Sequence, residues 1–394
     1  MVKQEESVTR LKWSAVIGII ALAAMGMSQG AVSPGLARFA EIWPQYNAHI
    51  ALINTLPSLI AIPASLLSGR LADKGILTYK QLAIIGMIIA TVGGVAPMVL
   101  FGSFPVLLIC RACFGMGLGL FQPVANSVIL LIVPGERARH YMSISSAASN
   151  MGGILFQTVG GLLCDVSPRL SFATYFICGI SALVILFCLP NPPRAVSLPK
   201  HTGKAEPMGY RVFGWATLNL FFSGCFFIMT NIISMVVINN DLGTAADAAL
   251  ALSLFTLGGF AGSVLSSHVF RLLRVFTLTF ACLLPAAGYT IMIFSNSMLP
   301  IYIGAFIFGI GFGCWNPTLQ TFGGRSVPAS CTSTALSLIM CFAGVGNFLS
   351  AYFVNFLSQF FPPWDRFGFA VGVTIFLIMA AILFGYGLRH RKQS

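Results

Sequence analysis

Charge is what this chain has least of: 8% of its 394 residues are charged, and Asp and Glu together number only 10. Soluble domains carry about 25% charged residues, so a soluble globular protein of this size is excluded. No charged or polar segment is long enough to form a separate soluble domain. Carboxylates are missing from the middle of every apolar run, which leaves no obvious Asp or Glu to shuttle a proton at mid-membrane depth. Ser-His-Asp arrangements, HExxH zinc motifs and phosphate-binding P-loops are absent too, so an enzyme is not expected. No cofactor is expected either.

What is present is apolar sequence, 57% of the chain. It falls in continuous runs of roughly 20 residues, the length that spans hydrocarbon as a helix. Runs of this kind predict α-helices rather than the alternating strands of a barrel. The spans are read at 13–36, 48–68, 79–101, 104–132, 141–163, 170–190, 212–238, 248–267, 275–295, 299–322, 332–357 and 367–388. The first is expected to remain as a span and not to be cleaved.

The net charge of +12 is spread over alternate connections and forms no single patch, so a nucleic-acid partner is not expected. With both termini in the cytoplasm, nearly all Lys and Arg lie inside. Arg38, Arg169 and Arg366 fall in outer connections, and Arg111 lies within a span. This satisfies the positive-inside rule for a multi-pass protein of the cell membrane, and the compact loops suit a bacterial cytoplasmic membrane. The ten cysteines sit in or beside the spans as small apolar residues, and the CxxC at Cys110 and Cys113 lacks accompanying His ligands.

The longest polar connection, 191–211, contains four prolines and reads as a cytoplasmic linker between two six-helix bundles, 1–190 and 212–394. The halves repeat. Gly115-Met-Gly117-Leu-Gly119-Leu-Phe121-Gln122-Pro123 returns as Gly309-Ile-Gly311-Phe-Gly313-Cys-Trp315-Asn316-Pro317, and the same offset of 194 pairs Asn126 with Gln320 and Gly152 with Gly346. An even number of spans per half makes the repeat parallel, with a seam between the halves where a solute site can form.

Three motifs carry a resemblance to the major facilitator superfamily over essentially the whole chain. Gly69-Arg70-Leu71-Ala72-Asp73-Lys74-Gly75 after the second span is close to the family's signature loop, although Ile76 and Leu77 replace the basic pair that often follows. Arg111-Ala-Cys-Phe-Gly115 is similar to the Arg-x-x-x-Gly segment of the fourth helix. Gly152, Gly160 and Gly161 partly match the antiporter glycine motif, but Phe156-Gln157 stand where that motif has Gly-Pro, so these glycines are read first as sites of close helix packing.

The resemblance implies an all-α fold of twelve transmembrane helices in two bundles, working by alternating access. It implies a gate at Gly69, Arg70, Asp73 and Lys74. It also implies that the first, fourth, seventh and tenth helices line a cavity. Candidate solute contacts there are Arg111, Gln29, Gln122, Asn126, Asn231, Trp315, Asn316 and Gln320. Arg111 shares a helical face with Gly115, Gly119, Gln122 and Asn126. Its buried charge is read as attracting an anionic solute, as a structural hydrogen-bonding group, or as snorkelling to the surface.

The expected function is a secondary transporter of a small organic solute, leaning towards an anionic or polar metabolite, with a coupling proton or other ion as a further partner. Proton-coupled multidrug or metabolite efflux is the alternative within the class. A membrane sensor that binds solute without moving it is the alternative outside it.

Overall fold

The computed structural model describes residues 13–132, 136–191, 210–327, 332–362 and 364–390, all helical or in short connections, with no strand among them. Linker residues 192–209 lie outside the described set. Twelve long helical segments run in sequence: α1 Trp13–Ile42 and α6 Pro168–Cys188, with α2 Leu52–Asp73, α3 Tyr79–Val99, α4 Phe104–Ile132, α5 Glu136–Val166, α7 Arg211–Asn239, α8 Ala245–Leu273, α9 Thr277–Ile293, α10 Met298–Arg325, α11 Thr332–Ser358 and α12 Phe367–His390. Large apolar side chains such as Ile109, Val92, Leu162 and Leu299 stay exposed on their outer faces. A soluble surface does not present such a belt; lipid does.

Two apolar clusters form the interior. One gathers residues from Ile19 to Leu189, including Phe39, Phe114, Phe121, Phe156 and Tyr175; the other runs from Trp215 to Leu383, including Phe222, Tyr289, Phe308 and Trp315.

The repeated glycines explain how each cluster closes. A Cβ at Gly117 would stand 2.5 Å from the Ala90 nitrogen and the Gly86 oxygen on α3, and one at Gly311 would collide with Pro285 on α9. Gly152 lies against the Ala24 carbonyl of α1, and Gly346 against the Leu220 carbonyl of α7. Membrane helices associate through such close backbone approach, because apolar side chains gain little by leaving lipid. The offset seen in the sequence therefore reappears as one packing pattern used twice.

α1 is not a continuous α-helix. Met25–Gly35 is wound as 3₁₀, and Met27 leaves helical geometry at φ −109°, ψ 17°. Gly26, Gly30, Pro34 and Gly35 are poor helix formers, so the tighter winding is local in origin. Gln29 sits in this irregular stretch.

Candidate functional site

The molecule has a basic end, where Arg70, Lys74, Arg271 and Arg389 are exposed, and a far end, where Glu41, Asp165, Asp241 and Asp365 are exposed. The hydrogen bonds that join α1–α6 to α7–α12 gather in the far portion of each helix. Asn54 of α2 donates through Nδ2 to Asn231 Oδ1 at 2.9 Å and to Thr230 Oγ1 at 3.3 Å on α7. Ser234 donates to the Pro34 carbonyl and accepts from the Ala37 amide at 3.3 Å. Asn355 of α11 donates to the Ala48 carbonyl at 2.6 Å.

On the other flank, α5 meets α8. Thr256 donates to Gln157 Oε1 at 3.2 Å, and Thr158 and Ser253 share a bond of 3.1 Å. Gln157 thus occupies a Gly-Pro position of the antiporter motif and serves the seam instead. At the tip, Asp165 accepts from the Ala245 and Ala246 amides at 2.9 and 3.0 Å. These are free N–H groups in the first turn of α8, where a carboxylate also complements the helix dipole.

Among the expected solute contacts, Gln29, Asn231 and Gln122 are placed on or beside the seam-lining helices with polar partners. Gln29 Nε2 donates to the Asn54 carbonyl and, at 2.9 Å, to Ser58 Oγ. Asn231 Nδ2 reaches Ser350 Oγ at 3.5 Å. Gln122 is exposed and donates to the Gly26 carbonyl of α1 at 2.9 Å. Asn316 is half-buried and Gln320 exposed. The side chains of Asn126 and Asp73 fall outside the described residues.

Trp315 turns the other way. It is fully buried, stacks on Phe222 with centroids 4.1 Å apart, and donates to Asn219 Oδ1 at 3.1 Å inside the second cluster. Phe121, its partner in the repeat, is likewise buried in the first cluster.

Arg111 is 0% exposed, which rules out snorkelling. Its Nε donates to the Ile53 carbonyl at 2.7 Å and Nη1 to the Tyr175 hydroxyl at 3.0 Å, with the guanidinium 4.4 Å from the Phe114 centroid and 5.3 Å from that of Tyr175. Nη2 is buried without a partner. Pro57 lies four residues after Ile53 and has no N–H, so the helix cannot satisfy that carbonyl itself. Arg111 does so from α4. One turn on, a Cβ at Gly115 would stand 2.6 Å from Pro57 Cα, and another turn on Gly119 abuts Ala61 and Ala64. The Arg-x-x-x-Gly face is thus a zipper onto α2.

In the loop after α2, Ile76 N–H reaches the Leu71 carbonyl at 3.1 Å, Gly75 N–H reaches that of Ala72 at 3.0 Å, and Gly75 has φ +67°. This is a Schellman ending, which needs a residue that tolerates the left-handed region. Gly75→Ala is expected to cost about 1–2 kcal/mol, the penalty of a Cβ in the left-handed region, read as a small drop in thermal midpoint. Gly69 differs: no atom lies within 4 Å of its would-be Cβ. Gly69 is therefore not packed against a neighbouring helix.

Asn54, Ser234 and Asp165 on the seam, and Tyr175 as the partner of Arg111, are residues not singled out from the sequence. Pro57 was the available signal for the free carbonyl, but nothing along the chain identifies the donor that fills it.

Two helical groups joined along a polar seam define a multi-pass membrane protein of the transporter type. The chain belongs to the Major Facilitator Superfamily, whose profile matches residues 18–351. Quinolone resistance protein NorA of Staphylococcus aureus is 25% identical over 334 residues, covering 80% of this chain and 84% of that protein. A probable sugar efflux transporter of Haemophilus influenzae (strain 86-028NP) is 22% identical over 369 residues, covering 90% and 88%. The crystal structure of the nucleoside transporter NupG shares the fold with TM-score 0.76 at 13% identity, covering 94% of this chain and 98% of that one. Proteins of this superfamily are transporters of small solutes, not enzymes.

Proposed function

We propose that the chain is a secondary transporter moving a small polar organic solute by alternating access between two six-helix bundles, 1–190 and 212–394. The clustering of the inter-half bonds at the far end carries this reading. With the basic end in the cytoplasm, as the positive-inside rule favours, the far end is the closed outer gate and the solute path opens inward. The irregular stretch of α1 supports a site near Gln29, since transporter sites form where helices are discontinuous. Gln29, Gln122, Asn126, Asn231, Asn316 and Gln320 are the proposed solute contacts. Gly69, Arg70, Asp73 and Lys74 form the inner gate, with Gly69 free of neighbours while that gate is open.

The lean towards an anion rests on Arg111, whose charge is turned into α2 and Tyr175. The remaining contacts are uncharged amides, which suit a neutral polar solute. Counterflow in proteoliposomes across a panel of polar and anionic metabolites, with imposed proton and sodium gradients, tests this. Saturable, gradient-dependent uptake of at least one polar solute is expected; rates no higher than protein-free liposomes across the panel would remove the proposal.

A second reading, proton-coupled export of drugs or metabolites, is favoured by similarity to NorA and to the sugar efflux transporter over most of the chain. Expression in a drug-sensitive host distinguishes it: export raises tolerance, and a protonophore abolishes the gain.

A further inference from the structure

We propose that Asn54 is a latch among the bonds at the far end of the seam, its amide helping to hold that end closed and its release favouring opening; the proposal rests on the transport reading above. Asn54 is 2% exposed and Asn231 3% exposed, so their contact is shut off from water. One Asn54 Nδ2 serves both Asn231 Oδ1 and Thr230 Oγ1, while the Asn54 carbonyl accepts from Gln29. A single residue of α2 thereby ties α1 to α7 across the seam.

Its aim is fixed from behind. The preceding carbonyl, Ile53 O, is the one Pro57 frees and Arg111 takes at 2.7 Å. The α2 backbone at Asn54 is therefore held from the core side while its amide reaches across.

The chemistry suits a reversible latch. Closed and dry, the Asn54 amide nitrogen is satisfied by Asn231 Oδ1 and Thr230 Oγ1; separated, these groups are solvated by water entering the opened end, so the net cost of parting is small. An ion pair buried at the same depth would hold more strongly or demand neutralisation. Gln29, a proposed solute contact, spends its amide on Asn54 and Ser58. A solute that engages Gln29 competes directly with the bond that steadies the latch.

The asymmetry between removing one partner and removing both supplies the test. Spin labels at Gln45→Cys and Asp241→Cys, both exposed at the far end on opposite sides of the seam, report its width in a cysteine-depleted background by pulsed electron resonance. Asn54→Leu leaves the Asn231 oxygen unpaired when closed, and Asn231→Leu leaves the Asn54 amide short of its nearer acceptor. Each single variant is expected to raise the population of the wide separation roughly fivefold, the scale of one net hydrogen bond. The double variant, with neither amide left, returns towards the wild-type distribution.

Unchanged distances in both single variants, or a double variant as wide as the singles, would overturn the latch. Should Asn54→Leu fail to fold, Asn231→Leu and the double variant make the same comparison. The distances need no solute, so failure here leaves the transport reading to its own flux measurement.

Discussion

Arg111→Ala is expected to lower the stability of the detergent-solubilised protein by roughly 2–4 kcal/mol. Two opposing effects set that figure. An Arg at the centre of a span costs about 2.5–3.5 kcal/mol on insertion scales; Arg111 lies nearer one end of α4, Phe104–Ile132, so alanine removes at most this cost. Against it stand two hydrogen bonds to a charged group, worth about 1.5–3 kcal/mol each, and the contacts with Phe114 and Tyr175, worth up to about 2 kcal/mol each where water is excluded. The interactions outweigh the burial cost.

The substitution also strands Ile53 O, which Pro57 prevents the helix from serving, and opens a void beside Phe114. Arg111→Lys supplies one charged donor group in place of the forked guanidinium and is expected to recover part of the loss. Thermal unfolding followed by circular dichroism checks both variants. A wild-type midpoint in Arg111→Ala together with lost flux would assign Arg111 to the solute instead of to α2.

Gly117→Leu and Gly311→Leu are each expected to prevent accumulation of monodisperse protein, and to about the same degree. The first drives a side chain into the α3 backbone at Gly86 and Ala90; the second drives one into Pro285 and the Ala281 carbonyl of α9. Overpacking of a flexible core costs about 1–3 kcal/mol, but here the obstacle is the α3 main chain in the first case and the rigid Pro285 ring with the Ala281 carbonyl behind it in the second, so whole helices must separate. Gly214→Ala is the contrasting control: no neighbour lies within 4 Å of its Cβ position on α7, and alanine favours a helix over glycine by about 1 kcal/mol. Size-exclusion profiles after membrane extraction read all three. Normal yield of either leucine variant would refute the shared packing scheme.

Much of the architecture is legible along the chain because lipid imposes it residue by residue. A span must be apolar for its whole length and satisfy its own backbone, so apolar runs give the helices. Glycines recurring at the same offset give the repeated close approaches, as Gly117 with Gly311 and Gly152 with Gly346 demonstrate. The glycines of α5 are legible as packing residues on the same ground.

The polar residues are less legible. Helical periodicity correctly places Arg111, Gly115 and Gly119 on one face, yet it does not say whether that face meets the solute path or another helix. Here it meets α2, because Pro57 leaves a carbonyl for the guanidinium and the glycines let the backbones touch. Trp315 and Phe121 follow the same logic, sharing a register with polar neighbours but packing into the two apolar clusters.

The sequence by itself determined that this chain crosses the membrane repeatedly, which ends carry positive charge, and that its second half copies the first. Each follows from the solvation of individual segments and needs no knowledge of their neighbours. Tertiary structure alone decided that Asn54 meets Asn231, that Asp165 caps α8, and that Arg111 faces away from the seam. A hydrogen bond depends on distance and direction between groups far apart along the chain, and those are fixed only when the helices pack.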